Sequence, residues 1–493
     1  MEKNQVISLA ILFLLSLSLR AVVLFYLDEF FLDEPAYAQN IDEFLAKPTL
    51  VPHYLGEPVA WKPPLMFDLY APFVKLFLSI GFPLEVSYRI PGFSVGIASI
   101  VVFYFLGKEF LGHEDALVAS AIFSTFATNI FMGSLLMTDS LLVLFLLLGI
   151  LCYVRGLKND KLFLLAGACA FLGFLTKYYF AFMIPLLGAV YCLGRDRSVL
   201  RNRNFLASFL FVPLALLATY ALFSLDNGLG ALMLHVNFDF SSRNAPPSLL
   251  PVSFMLNLMV FLLLQIPWIG FSMMGIAKIN RKDPAWLMIL LWALLIAVPL
   301  AGTEAMFWYA MPCLPAFSLL AAKAIGGLKG NPLFTLLLVP LVSLIFFFTV
   351  AYSAPQMDQK EAGSYLANKG DTLFIVPTIK FISWPDYNSY YKDSPVPLAL
   401  SSPAAVFYKS HDENPKSRIS AAYLPYGKRE VGELVSAYIA ESDAQVIAVQ
   451  TKYGCRGFES GEDACTYNFT IPDGFTETKT SQGGYSILER EIK

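Results

Sequence analysis

Apolar residues gather in long runs separated by short polar segments as far as residue 352. There are twelve such runs: 6–26, 66–80, 90–106, 116–137, 140–154, 162–176, 178–193, 204–225, 250–277, 285–302, 305–322 and 331–352. An α-helix of about 20 apolar residues crosses about 30 Å of lipid hydrocarbon. The pattern therefore predicts a polytopic α-helical membrane protein.

Composition agrees with this interpretation and excludes other classes. The 493 residues are 56% hydrophobic and 15% charged, whereas soluble globular chains carry about 25% charged residues. Lys and Arg total 35 against 38 Asp and Glu, so the net charge is −3. A soluble protein is excluded, and the chain lacks the basic excess typical of a nucleic-acid partner.

The polar tail indicates how the chain crosses the membrane. Cys455 and Cys465 predict a disulfide-closed loop in an oxidising compartment, and the nearby Asn468 lies in a glycosylation sequon. Both place the tail outside, which requires an odd number of spans if the N-terminus is inside. The weakest run, 66–80, contains Asp68 and a proline. We expect it to be a juxtamembrane or re-entrant helix on the outer side, leaving about eleven spans.

Basic residues support this threading, because cytoplasmic loops carry an excess of Lys and Arg. Four predicted inner loops are basic, at 155–161, 195–203, 278–282 and 323–329. The predicted outer segments are the first loop 27–88, the turn 138–139, the large loop 226–249 and the tail. We therefore expect a multi-pass protein of the plasma membrane with its C-terminal domain outside.

The sequence predicts two domains. Residues 1–352 form the transmembrane domain, and residues 353–493 form a soluble extracytoplasmic α/β domain. In the tail, 371–377 and 445–450 are predicted buried strands, and 429–441 has the apolar spacing of a helix.

Ionisable residues at the outer ends of the runs are the candidates for chemistry. Asp33 and Glu34 directly follow an apolar stretch, where carboxylates are costly unless paired or used. Asp139 lies between two apolar runs, and helix capping is the simpler explanation for it. Lys177 ends another run, where many lysines only extend to the membrane surface.

The threading brings all of these side chains to one membrane face, together with Lys62 and Arg89. Carboxylates facing cations at the level of the lipid headgroups suit chemistry on a lipid-linked phosphate. A carboxylate accepts a proton from the acceptor, and Lys or Arg neutralises the departing phosphate.

Five motifs occur in order along the chain, followed by a later one. They are Asp33-Glu34 with Tyr37, Lys62-Pro63-Pro64-Leu65, Tyr88-Arg89-Ile90-Pro91, Thr138-Asp139-Ser140-Leu141, Gly173-x-x-Thr176-Lys177 and Tyr309-x-x-Pro312-x-x-Pro315. Together they resemble the polyprenyl-phosphate-sugar-dependent glycosyltransferases of the GT-C fold. Among these, they are most similar to the protein O-mannosyltransferases and the lipid A aminoarabinose transferase. The resemblance covers about residues 1–350.

The resemblance implies a role for each matched residue. Asp33 takes the position of the catalytic base, with Glu34 beside it and Asp139 as the second acid. Lys62, Arg89 and Lys177 take the positions that bind the donor phosphate.

Other residues are candidates for acceptor or substrate contacts: Tyr37, His235, Arg243 and Glu304. Trp61 stands where some relatives have an acidic residue or His before the lysine. Whether the protein binds a divalent metal ion therefore stays open, and no other cofactor is indicated.

The sequence thus predicts an inverting transferase that moves one sugar from a polyprenyl-phosphate carrier lipid to a hydroxyl of a protein, glycan or lipid at the outer face. A transporter or flippase for an amphipathic substrate is the alternative. Transport favours ionisable groups near the bilayer midplane, and the break at Gln265-Ile266-Pro267 is the one mid-run feature of that kind. A third possibility is a non-catalytic anchor that presents the tail.

Overall fold

The structure is a computed structural model of the whole chain. The residues it describes are 3–27, 29–30, 33–233, 255, 258–259, 262, 265–266, 268–295, 307–326, 359–367, 369–378, 404–412, 419–425, 436, 439–440, 442–450, 471, 473–480 and 485–490. The chain divides into two compact units. The helical unit consists of Met1–Leu27 and Ala60–Phe348, and the mixed unit consists of Asp28–Val59 and Thr349–Lys493.

Helices account for nearly all of the described helical unit. In chain order, the helices within the described residues of both units are α1 (Lys3–Tyr26), α2 (Glu34–Ala46), α3 (Leu65–Ser79), α4 (Leu84–Leu111), α5 (His113–Thr125), α6 (Ala127–Met132), α7 (Thr138–Gly156), α8 (Lys161–Phe174), α9 (Met183–Arg195), α10 (Arg203–Ser208), α11 (Phe211–Leu225), α12 (Trp268–Lys278), α13 (Pro284–Leu294), α14 (Leu314–Ile325), α15 (Gln359–Leu366) and α16 (Ala404–Asp412). Short 3₁₀ helices cover Tyr178–Phe182, Arg197–Arg201 and Phe307–Cys313.

Several of these helices suit a lipid environment. By length and composition, three described helices are able to cross a membrane: Leu84–Leu111, Thr138–Gly156 and Arg203–Leu225. On α11 the side chains of Leu217 and Leu225 are exposed, as expected of a surface that faces lipid tails. The predicted number of eleven spans stays a prediction. The run 66–80 forms the helix α3, and whether α3 crosses the membrane is likewise a prediction.

The predicted run 116–137 is among those that the structure divides into more than one helix. The run 116–137 contains two helices, α5 and α6, separated at Phe126, whose extended backbone ends α5. A turn at 133–137 then leads into α7. The break contains neither Pro nor Gly, the residues that usually interrupt a helix.

Close packing holds the later helices together. The hydroxyl of Ser272 on α12 donates to the carbonyl of Phe317 on α14 at 2.8 Å. A Cβ on Gly275 would collide with the carbonyl of Leu320. Small residues let helix backbones approach in this way, which is typical of membrane helix pairs.

The mixed unit contains a five-stranded sheet with strand order β4-β3-β5-β7-β6. Its strands are β3 (Thr372–Thr378), β4 (Ile419–Pro425), β5 (Val446–Gln450), β6 (Phe475–Thr480) and β7 (Tyr485–Arg490). β3 is parallel to β4 and β5, while β7 is antiparallel to β5 and β6. The two strands predicted at 371–377 and 445–450 are therefore present. Most of the helix predicted at 429–441 lies outside the described residues.

Part of the predicted first loop, residues 28–59, belongs to the mixed unit, which the predicted division at residue 352 did not anticipate. Its residues include α2 and the two-residue strands β1 (His53–Tyr54) and β2 (Glu57–Pro58). The backbone N–H of Phe30 donates to the hydroxyl of Tyr408 at 3.2 Å, and Gln39 donates to Ser410 at 3.1 Å. These contacts join segments far apart in sequence and explain why residues 28–59 group with the tail.

Candidate active site

Two predicted site residues meet in the helical unit. The ammonium of Lys177 lies 2.7 Å from the Oδ1 of Asp139. The side chains are only 9% and 1% exposed. Asp139 lies in the first turn of α7, where the helix dipole also favours a negative charge. Two buried charges are costly to desolvate unless they are paired, so each side chain is held in place by the other.

Lys177 has an aromatic neighbour as well. Its ammonium is 4.4 Å from the ring centroid of Tyr309, a distance at which a cation is attracted to the face of the ring. Tyr309 lies in the 3₁₀ helix Phe307–Cys313. We did not predict Tyr309 as a site residue, although the motif that it begins marked this segment.

Two hydrogen bonds join the segments that carry Lys62 and Lys177. The hydroxyl of Tyr178 donates to the carbonyl of Ala60 at 3.0 Å. The N–H of Leu65 donates to the carbonyl of Leu175 at 3.1 Å. Two lysines predicted to bind one phosphate therefore lie on two segments that are hydrogen-bonded to each other.

Lys62 itself is partly buried, with its ammonium 5.6 Å from the ring centroid of Trp61. This contact restrains the side chain, because ring and cation attract each other. The tryptophan that precedes the lysine therefore packs against it.

Arg89 is fully buried on α4. Its Nη1 donates to the carbonyl of Leu27, just beyond the end of α1, at 2.5 Å. This bond ties α4 to the end of α1. The phosphate-binding role of Arg89 stays a prediction.

The predicted acids of the first loop lie in the mixed unit. Asp33 precedes α2, which has Pro35 in its first turn, a favourable position for proline. The hydroxyl of Tyr37 donates to Oδ2 of Asp33 at 3.2 Å, one helical turn away. Glu34 is fully buried. Tyr37 therefore contacts the predicted base directly and orients its carboxylate.

Several predictions fall outside the described residues: His235, Arg243, Glu304, Cys455, Cys465 and Asn468. The described cysteines, Cys152, Cys169, Cys192 and Cys313, are free and buried. Among the residues that the structure describes, no three His, Cys, Asp or Glu side chains are grouped so as to hold a metal ion. The disulfide, the sequon and the involvement of a metal stay open.

Comparisons with known proteins agree with the motif resemblance. Residues 62–223 match the dolichyl-phosphate-mannose-protein mannosyltransferase family. The undecaprenyl phosphate-alpha-4-amino-4-deoxy-L-arabinose arabinosyl transferase 1 of Sodalis glossinidius (strain morsitans) is 25% identical over 311 residues. That match covers 59% of this chain and 54% of the relative, so the chain matches about half the length of this curated relative.

Solved structures share the fold over nearly the whole chain. The crystal structure of ArnT from Cupriavidus metallidurans bound to undecaprenyl phosphate matches with a TM-score of 0.62 and 16% identity. The match covers 96% of this chain and 97% of that one. The archaeal oligosaccharyltransferase AglB from Archaeoglobus fulgidus matches with a TM-score of 0.55 and 12% identity, over 91% of this chain and 69% of that one.

These matches confirm the resemblance that the motifs predicted. Both the matched family and the matched structures are glycosyltransferases of the GT-C type. The chain therefore has the GT-C membrane-protein fold and resembles the glycosyltransferases that use polyprenyl-phosphate sugars.

Proposed function

We propose that this protein transfers a single sugar from a polyprenyl-phosphate carrier to a hydroxyl acceptor at the outer membrane face, with inversion at the anomeric carbon. The GT-C fold and the curated relative, whose name describes transfer from undecaprenyl phosphate, support the proposal. The acceptor is a protein, a glycan or a lipid.

The observation that carries the proposal is the buried Lys177, held between Asp139 and Tyr309. An ammonium has three N–H donors, and Asp139 fixes where the ammonium lies. When the bond between the anomeric carbon and the phosphate oxygen breaks, negative charge grows on the phosphate. A fixed cation at that point stabilises the transition state more than the ground state.

In this proposal Asp139 acts through Lys177. A carboxylate 2.7 Å from the ammonium holds it in place and fixes its direction. Asp139, which the resemblance gave as the second catalytic acid, is in this proposal a residue that orients Lys177. Lys62, on the adjoining segment, supplies a second positive charge for the phosphate, and Arg89 is the third candidate.

Asp33 is the proposed base. The acceptor oxygen attacks the anomeric carbon, its proton passes to the Asp33 carboxylate, and the polyprenyl phosphate leaves with the electron pair of the broken bond. Tyr37 holds the carboxylate by its hydrogen bond. Glu34 is the neighbouring acid. The acceptor or substrate contacts proposed from the sequence are Tyr37, His235, Arg243 and Glu304.

The experiment incubates the purified full-length protein with a panel of polyprenyl-phosphate sugars and an acceptor mixture, and measures free polyprenyl phosphate. Lys177→Ala is expected to lower kcat by about 10²–10³-fold, as loss of a charge-stabilising group does. Asp33→Asn is expected to lower kcat by about 10²–10⁴-fold, the usual contribution of a general base, while donor binding is retained.

The matched control is Arg155→Gln, which removes a cation whose side chain is 44% exposed at the opposite end of α7. It should leave turnover close to wild type. If no donor in the panel releases polyprenyl phosphate while the protein moves a labelled lipid-linked substrate across vesicles, the alternative of a transporter replaces the proposal.

A further inference from the structure

Arg20 is a fully buried cation in the C-terminal third of the apolar helix α1. Its Nη1 donates to the carbonyl of Ser124 at 3.4 Å and its Nη2 to the carbonyl of Asn129 at 3.2 Å. Among the described residues no carboxylate pairs with it. An ionised side chain at such a site is expensive and is usually kept for a function.

The carbonyls that Arg20 binds lie on either side of the break at Phe126, Ser124 in the last turn of α5 and Asn129 in α6. Where a helix ends, its last carbonyls lose their partners within the helix, and lipid offers none. The side-chain amide of Asn129 donates to the carbonyl of Phe123 at 2.6 Å. The guanidinium of Arg20 donates to the carbonyl of Ser124. The guanidinium also reaches Asn129 in α6, so it fixes the two helices relative to each other.

Arg20 also contacts the turn that follows α6. Its Nε lies 3.1 Å from the position that a Cβ on Gly133 would occupy. Gly133 opens the 133–137 turn, and a side chain there would displace the guanidinium. The absence of a side chain at this position therefore lets the cation lie against the turn.

Helix α4 confines the same turn. A Cβ on Gly92 would lie 2.5 Å from the carbonyl oxygen of Leu135, and one on Gly96 would collide with the carbonyl of Gly133. These approaches leave the backbone of the turn very little freedom next to α4. Atoms this close transmit displacement, because packed interiors deform little.

The 133–137 turn leads directly to Asp139. The helix α7 starts at Thr138, and the hydroxyl of Ser140 donates back to the carbonyl of Met132 at 2.9 Å. A displacement of the turn therefore moves the first turn of α7, which carries the carboxylate that pairs with Lys177.

We propose that Arg20 is a positioning residue for sugar transfer: it fixes the 133–137 turn and thereby sets where Asp139 holds Lys177. The inference rests on the proposed function, in which Lys177 meets the donor phosphate. Arg20 touches neither donor nor acceptor.

The test is a double-mutant cycle on the full-length protein, with free polyprenyl phosphate as the readout. Arg20→Met is expected to lower kcat by about 10²-fold, the usual effect of a misplacement of about 1 Å. Donor KM should change much less. Because both residues act through Lys177, the Arg20→Met/Asp139→Asn double variant should be no slower than the slower single variant.

Two further variants keep the result interpretable. Gly92→Ala presses on the turn from α4 and should show the same non-additivity with Asp139→Asn, even if Arg20→Met does not fold. Ser120→Ala is the matched control, because among the residues that the structure describes this buried hydroxyl on α5 donates only to the carbonyl of Ala116 in its own helix. Its turnover should equal that of wild type.

The outcomes separate the inference from the function on which it rests. Multiplying effects in the double variant, or an Arg20→Met protein at wild-type turnover beside a slow Asp139→Asn, would overturn the inference alone. If Asp139→Asn itself turns over at the wild-type rate, the role proposed for Asp139 fails, and the inference fails with it.

Discussion

The two ends of α7 each carry an ion pair, yet the two pairs differ in kind. At the start of the helix, Asp139 lies 2.7 Å from Lys177, and at its end Arg155 lies 2.8 Å from Glu109. Both charges on α7 have the sign that the helix dipole favours. Exposure distinguishes the pairs, because the side chains of the first are 1% and 9% exposed and those of the second 44% and 24%.

Burial changes what each pair contributes. An exposed pair is worth about 0–1 kcal/mol, because water and salt screen it. Removing one partner of a buried pair costs about 3–5 kcal/mol, because the other charge stays uncompensated. Apolar side chains of similar volume often stabilise a protein as well as a buried pair does. The pair of Asp139 and Lys177 is therefore better explained by function than by stability, whereas the pair of Arg155 and Glu109 is an ordinary surface contact.

The largest effect on stability is expected at the buried pair of Asp139 and Lys177, where two variants separate its contribution to stability from its contribution to turnover. Asp139→Leu should lower the free energy of unfolding by about 3–5 kcal/mol, because it leaves the Lys177 ammonium buried without its partner. Adding Lys177→Met should restore most of that stability while turnover stays low. Thermal unfolding in detergent and release of polyprenyl phosphate measure the two quantities. A double variant that regains turnover would show that the pair is only structural.

The second prediction concerns the aromatic neighbour of the buried pair. A cation over a desolvated ring is worth about 0.5–2 kcal/mol. Tyr309→Leu removes the ring from the Lys177 ammonium and should lower kcat/KM by about tenfold. Tyr309→Phe keeps the ring and should lower kcat/KM less. Equal losses in both variants would assign the effect to the hydroxyl instead.

Local patterns predicted much of the helical unit. The positions of Asp139 and Lys177 between apolar runs, together with the positive-inside rule, predicted that they share a face. The structure brings them into contact although they are 38 residues apart. The order of the short motifs also predicted the GT-C fold.

What the sequence did not predict depends on contacts that leave no local pattern. The packing of Phe30 against Tyr408, with ring centroids 5.9 Å apart, joins the first loop to the tail. Neither segment has a local sequence pattern that indicates this contact. The break at Phe126 has no Pro or Gly. Its only local signal is a group of polar residues on both sides of Phe126, and Arg20 binds the carbonyls of two of them, Ser124 and Asn129.

The third prediction tests the exposed end of α7. Arg155→Gln should change the free energy of unfolding by no more than about 1 kcal/mol, because the pair with Glu109 is screened by solvent. Added salt should reduce even that difference. Thermal unfolding at low and high ionic strength measures the effect. A loss as large as that of Asp139→Leu would mean that exposure does not distinguish the two ends.

The smallest effect is expected at a third pair, in the mixed unit, where Lys369 lies 3.1 Å from Glu489. These side chains are 38% and 29% exposed, so the pair should behave like that of Arg155. Partial burial raises the pKa of Glu489, but hydrogen bonds from Lys369 and Tyr365 and the charge of Lys369 outweigh it and leave this pKa below its usual value. The hydrogen bond to Glu489 raises the pKa of Lys369 above its usual value, although its slight burial opposes the shift.

The directions of these pKa shifts set the pH range in which the pair of Lys369 and Glu489 stabilises the folded protein. The contribution of Glu489 is present above its unfolded pKa of about 4.3 and is lost as the pH falls through its lower folded pKa. The contribution of Lys369 is present below its unfolded pKa of about 10.4 and is lost as the pH rises through its higher folded pKa. Glu489→Gln should therefore lower Tm slightly and by a constant amount near neutral pH, and the difference should close in acid. A Tm difference that varies between about pH 6 and pH 8 would contradict this reasoning, because neither group titrates there.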